Sequence, residues 1–301
     1  MYYNFIRATL VAHLPVEVQP VTVSESMKCY KMQFLLALLI LAGVYRGVVP
    51  DMAQQWYEDA NYSHGFVVPF IAGYFVYEKR RQLAEVLVEP WWPGFALFLL
   101  GLLQLVVGWL GTEFFTMRSS LVVTLAGMTL FFFGKPLFRL MLLPLGYLMF
   151  MVPLPYIIYD MIAFPLKLFV TRISIASLKL MGVVVMREGN VIMLPLTTLE
   201  VADACSGIRS LISLLALAVA YAFFLEISPS RRALLILAAI PIAISANALR
   251  VIGTGLLAQY WGAKAAEGFF HEFAGLAVFV VAIVLMITLG SLLSRGKGGE
   301  P

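Results

Sequence analysis

Apolar runs close to the length of a bilayer crossing recur along this chain. A helix rises 1.5 Å per residue, so about 20 apolar residues are needed to cross roughly 30 Å of hydrocarbon. Runs of that order lie at 33–49, 65–78, 94–111, 119–134, 138–153, 206–226, 233–252 and 271–291, the second and fifth being short. Of the 301 residues, 61% are hydrophobic and 13% charged, about half the charged share of an ordinary soluble domain. A water-soluble core could not hide that much apolar surface, so lipid is the solvent for most of the chain. The sequence therefore predicts an all-α polytopic membrane protein with about eight transmembrane helices.

The bases orient this bundle. Lys28 and Lys31 precede the first run, Lys79, Arg80 and Arg81 follow the second, and Lys135 and Arg139 lie between the fourth and fifth. Arg231 and Arg232 join the sixth and seventh, and Arg295 and Lys297 follow the eighth. With both termini inside, all of these clusters fall on the cytoplasmic side, as the positive-inside rule requires. The first run has no A-x-A-like cleavage site after it and is read as an uncleaved span. Residues 1–32 are then a cytoplasmic N-terminal segment, and 50–64, 112–118, 154–205 and 253–270 lie outside. The net charge of +4 is scattered in small clusters, which argues against nucleic-acid binding.

The extracytoplasmic segment 154–205 is the only long one. Its stretch 156–182 mixes apolar positions with Asp160, Lys167, Arg172 and Lys179, the pattern of a helix in the membrane interface. Residues 183–195 hold two β-branched runs around Glu188-Gly189-Asn190, a hairpin signal. With no internal repeat and no soluble domain after the last span, residues 1–301 read as one membrane domain.

Three reactive side chains fall at one face of that bundle. Cys205 stands at the outer start of the sixth span, Arg250 at the outer end of the seventh and His271 at the outer start of the eighth. Ionisable groups at such positions are costly and usually face a bundle interior or a wet cavity. Thiolate is a nucleophile, imidazole exchanges protons near neutrality, and guanidinium donates paired hydrogen bonds to an oxyanion. Arg209, four residues after Cys205, shares its helical face and adds positive potential. The helix N-terminus adds its dipole in the same sense. That makeup suits cysteine acyl transfer. Taken singly, each has a plainer reading: a small packing cysteine, a snorkelling arginine, an interfacial histidine.

Cys29 lies beside the cytoplasmic end of the first span and cannot pair with Cys205 across the bilayer. His64 is a candidate for the substrate site, whereas its neighbour Ser63 also reads as a helix N-cap. Glu200 and Asp203 either orient Arg209 and Arg250 or are solvated loop charges. No CxxC, HExxH or His-rich tract is present, so neither a metal nor a cofactor is expected.

The blocks ACSGIRSL (204–211), NALRV (247–251) and HEFAG (271–275), in that order at the ends of late spans, resemble the exosortase/archaeosortase family. NYSHGFVVP (61–69), REGNVIMLP (187–195) and LEVADACSG (199–207) resemble further family blocks, and His at 271 looks like the bacterial branch. The resemblance runs from about residue 34 to 290. It implies a membrane-embedded cysteine peptidase or transpeptidase of the sortase kind, in the inner membrane with its site facing outward. Its partners would be secreted proteins carrying a C-terminal Pro-Glu-Pro-like motif, a transmembrane helix and a basic tail. Matched residue by residue, Cys205 would form the acyl-thioester, Arg250 would donate a proton or bind the oxyanion, and His271 would assist proton transfer. Asn247, inside the second block, would support them. Some relatives carry a further soluble domain, and here a separate periplasmic accessory protein would do that work.

Two other classes compete. A transporter or channel would place Arg and His along a path near the midplane, with broken helices and pseudo-repeats, which the sequence does not show. A membrane acyltransferase would use the same cysteine and differ in its acceptor.

Overall fold

The computed structural model describes residues 21–195, 198–200, 207–262 and 269–295, and for 199–200 and 269–272 the backbone alone. The described elements are helices α1 (Val23–Cys29), α2 (Lys31–Val44), α3 (Val48–Glu58), α4 (Val68–Glu78), α5 (Arg80–Glu85), α6 (Pro93–Leu110) and α7 (Phe114–Phe133). They continue with α8 (Lys135–Tyr147), α9 (Tyr156–Leu180), a small sheet, α10 (Ile208–Phe224), α11 (Pro229–Trp261) and α12 (Phe269–Arg295). Short 3₁₀ turns occupy Ala60–Phe66 and Leu148–Met151.

Five helices are long and apolar enough to cross a bilayer: α6, α7, α9, α11 and the Phe273–Arg295 stretch of α12. The pair α1 and α2, bent by 83°, makes a sixth if counted as one span. Eight spans are therefore not reached by length. At 1.5 Å per residue, α4, α8 and α10, with 11, 13 and 17 residues, extend only about 16, 20 and 26 Å. Each is extended or flanked by 3₁₀ or irregular backbone, which periodicity read as continuous span.

Helix α7 also starts earlier than its apolar run suggested. Glu113 accepts hydrogen bonds from Phe115 N at 3.2 Å and Thr116 N at 2.7 Å, capping orphan donors of the first turn. The expected outer loop 112–118 thus ends at 113, and Arg118 becomes a buried helix residue.

Small residues and interhelical hydrogen bonds hold the first bundle together. Gly94, Gly101 and Gly108 let α6 lie directly on α7, and a Cβ at 108 would come within 2.8 Å of Met117 N. Gln104 donates to Ser119 Oγ across this pair at 2.8 Å. Tyr45, at the break between α2 and α3, places its hydroxyl 2.9 Å from both Ser120 Oγ and Thr124 Oγ1. Phe34 stacks on Phe133 at one end and Gln55 meets Arg118 at the other, so α2 and α3 run antiparallel past α7.

The second half is built on α11. Its 33 residues rise about 50 Å, roughly 20 Å more than a hydrocarbon core needs. Leu214 and Ala218 of α10, Ala239 and Ala243 of α11 and Ala282 and Met286 of α12 form one core. The surplus end of α11 packs instead on α9 and the sheet, through Val170, Leu178, Ile192, Val251 and Ala258. Gly255 leaves room for Leu178, and Ser174 donates to Ala248 O at 3.5 Å. Helix α9, expected in the interface, thus begins beside Ile208 through Tyr159 and Ala163 and ends on the last turns of α11.

The hairpin forms where the sequence placed it. Strand β1 (Met186–Glu188) pairs antiparallel with β2 (Val191–Met193) across Gly189-Asn190, with Glu188 opposite Val191. Gly189 has φ +60°, the left-handed value that a two-residue hairpin turn demands and glycine adopts freely. A third strand, β3 (Thr198–Glu200), pairs antiparallel with β2.

Candidate active site

Helix α10 begins from a glycine two residues after Cys205 in the sequence. Gly207 has φ +78° and occupies the N-cap position of α10. A Cβ there would stand 2.8 Å from Asn247 Nδ2, so both the backbone angle and the space call for glycine. Asn247 is 4% exposed. Gly207, at the start of α10, is thereby seated on α11, one helical turn before Arg250.

Arg250 joins α11 to α12. Asn247 and Arg250 lie three residues apart on one face of α11, and both line a small cavity with Ser210 of α10 and Gly275 and Phe279 of α12. A Cβ at Gly275 would lie 3.1 Å from Arg250 Cζ and 3.2 Å from Nη2. His271 stands four residues before Gly275, so helix periodicity puts the two positions on one face a turn apart. Helices α10, α11 and α12 therefore meet around one guanidinium, but Arg250 stands inside α11, which continues to Trp261, and not at the helix end that the apolar run 233–252 suggested.

His64 approaches from the other side. The end of α3 and the 60–66 turn are stitched to the segment after α8 by three side chains, one from α3 and two from the turn. Trp56 Nε1 donates to Met151 O at 2.8 Å, Tyr62 Oη to Leu154 O at 3.3 Å, and His64 Nε2 lies 3.1 Å from Phe150 O. Facing a carbonyl, Nε2 must carry the proton, which leaves Nδ1 as an acceptor. Nδ1 is buried and has no hydrogen-bond partner among the described residues. Burial holds the imidazole below its ordinary value of 6.5; the carbonyls of Phe150 and Asn61 oppose this, and the cation of Arg209 adds to it. A neutral imidazole with a buried lone pair is therefore held within electrostatic range of the first turn of α10.

Arg209 itself is exposed and its charge acts on His64, while Arg250 lines the cavity with α12. Ser63 is not the helix N-cap: it is exposed and donates to Ala60 O at 3.0 Å within its own turn. The N-cap position of α4 belongs to Val67. Tyr62, whose hydroxyl is pushed up to about 12 mainly by burial, stays protonated as a donor. Cys205 and Asp203 lie outside the described residues, and Glu200 ends β3. No group of three or more His, Cys, Asp or Glu suited to a metal occurs among the described residues.

Sequence reasoning passed over Arg118, Gln55, Trp56 and Tyr62. A signal for the first was present, since an arginine one turn inside an apolar helix is costly; reading 112–118 as a loop concealed it.

Set against known families, residues 56–288 match the family model of the transmembrane exosortases. No curated protein and no solved structure matches the chain.

Proposed function

The chain belongs to the transmembrane exosortase family, and from that premise we propose that it is a multi-pass cysteine transpeptidase or peptidase acting on secreted proteins. Its substrate is a C-terminal sorting signal: a Pro-Glu-Pro-like motif followed by a transmembrane helix and a basic tail. Its site faces the extracytoplasmic side of the inner membrane, where an anchored substrate presents the motif at fixed depth. Confinement to that depth supplies much of the positioning.

In this reading the thiolate of Cys205 attacks the scissile carbonyl carbon. A C–S bond forms, the carbonyl electrons move to oxygen, and Arg250 stabilises the oxyanion. Collapse restores the carbonyl and breaks the C–N bond, and the departing amine takes a proton from the His271 imidazolium. The acyl-thioester then passes to water, an amine or a hydroxyl, with neutral His271 removing the acceptor's proton. Asn247 holds the turn after the nucleophile, and His64 contributes a neutral acceptor on the opposite wall.

The observation that supports this best is the double contact of α11: Asn247 against Gly207, two residues from Cys205, and Arg250 against Gly275, one turn from His271. The test is mass spectrometry of the new C-terminus of a co-expressed protein bearing the sorting tail. Processing should stop with Cys205→Ala and nearly stop with Cys205→Ser, whose alcohol stays protonated. Normal processing by Cys205→Ala ends the proposal.

A further inference from the structure

Among the described residues, Arg118 is a buried cation that no carboxylate meets directly. It is 7% exposed, on the second turn of α7, where a charge is expensive unless an opposite charge or a ligand meets it. Its Nη1 donates to Gln55 Oε1, and its guanidinium lies over the Phe114 ring, 5.3 Å from the centroid. Among the described residues no carboxylate pairs with it. Asp51 and Glu113 are within electrostatic range, but both oxygens of Glu113 cap α7 and Asp51 is exposed. A guanidinium offers five N–H donors, and Gln55, accepting through Oε1, keeps two amide donors beside it. The pair is a ready-made fork for a planar, bidentate anion.

We propose that Arg118 and Gln55 form a subsite for a carboxylate on the peptide that the active site receives. This rests on reading the site as one that takes a peptide. The 60–66 turn connects the two places: Tyr62 lies within electrostatic range of Arg118, and His64, two residues on, within range of Arg209 on the cysteine's helix. An extended peptide, advancing about 3.3 Å per residue, laid along this turn passes both. A side-chain carboxylate suits so enclosed a cation, whereas a lipid phosphodiester brings two ester arms that need room.

The experiment uses the full chain carrying Cys205→Ala in phosphatidylcholine nanodiscs. The probes are two peptides, one with a single glutamate ahead of an apolar helix and one with glutamine in its place. The glutamate peptide should bind roughly ten- to a hundredfold tighter, the worth of a charge-assisted pair. Arg118→Gln should abolish that preference. Asp51→Asn, an exposed change that removes a competing negative charge, should tighten the glutamate peptide alone, a shift that a purely structural Arg118 would not give. Equal affinities for the wild-type Arg118 protein, or a preference that survives Arg118→Gln, overturn the subsite. Loss of the preference when phosphatidylglycerol replaces phosphatidylcholine assigns the cation to lipid phosphate and overturns it too. Binding does not need the thiol, so failure of Cys205 as nucleophile would leave these results intact.

Discussion

Gly275 lies so close to Arg250 that a Cβ added there would stand 3.1 Å from the guanidinium carbon. The neighbour is the far end of a long side chain, so it can yield at small cost in stability. Yielding moves it away from its place on the α12 wall, and a misplacement near 1 Å can cost on the order of a hundredfold in rate. Gly275→Ala should lower processing roughly tenfold, and Gly275→Val further, with melting temperatures close to wild type. Full activity in the valine variant would remove Arg250's position from the mechanism.

Lysine should not replace Arg250. A purely electrostatic role would survive Arg250→Lys with modest loss, because both side chains are cationic. Holding an oxyanion uses the planar fork of donors, which an ammonium cannot reproduce; one such donor is worth roughly 100- to 1,000-fold in rate. Arg250→Lys should therefore fall near Arg250→Ala in the same assay. Retention of more than about a third of wild-type activity would leave charge as the whole explanation.

His64 should make stability sensitive to acid. Its imidazole is neutral when folded, and the buried site resists protonation below the ordinary value of 6.5. On unfolding it takes up a proton as pH falls through that value. Stability from the buried neutral ring is thus present above about 6.5 and is lost on acidification. Thermal unfolding in detergent should shift down between pH 7 and 5 by more in wild type than in His64→Gln. Parallel curves would show that the ring titrates alike in both states.

The two cysteines should report topology. Cys29 is exposed at the end of α1, beside Lys28 and Lys31; the proposed orientation puts it inside and Cys205 outside. An impermeant maleimide applied to permeabilised-outer-membrane cells should modify Cys205 and spare Cys29 until the inner membrane is opened. Modification of Cys29 alone in sealed cells reverses the orientation.

The sequence by itself determined the solvent and the family, and it singled out the late residues proposed for the site. Composition and run length require lipid, and run spacing leads to the expectation of Cys205, Arg250 and His271 at consecutive helix ends, although α11 in fact carries Arg250 inside it and runs on to Trp261. The Gly189-Asn190 turn is legible because local backbone geometry alone selects it. These signals are local or periodic, so they survive without knowledge of packing. Tertiary structure decided the rest. That α4 and α8 are short helices continued by 3₁₀ turns follows from Trp56, Tyr62 and His64 bonding to carbonyls about 90 residues away, pairings that no periodicity encodes. That Gly207 rests on Asn247 and Gly275 on Arg250 depends on how α10, α11 and α12 cross. Arg118 belongs to the core, not to a loop, because Glu113 caps α7 and Gln55 comes from a helix more than 60 residues earlier. Each is a long-range choice among partners, and only the folded arrangement makes it.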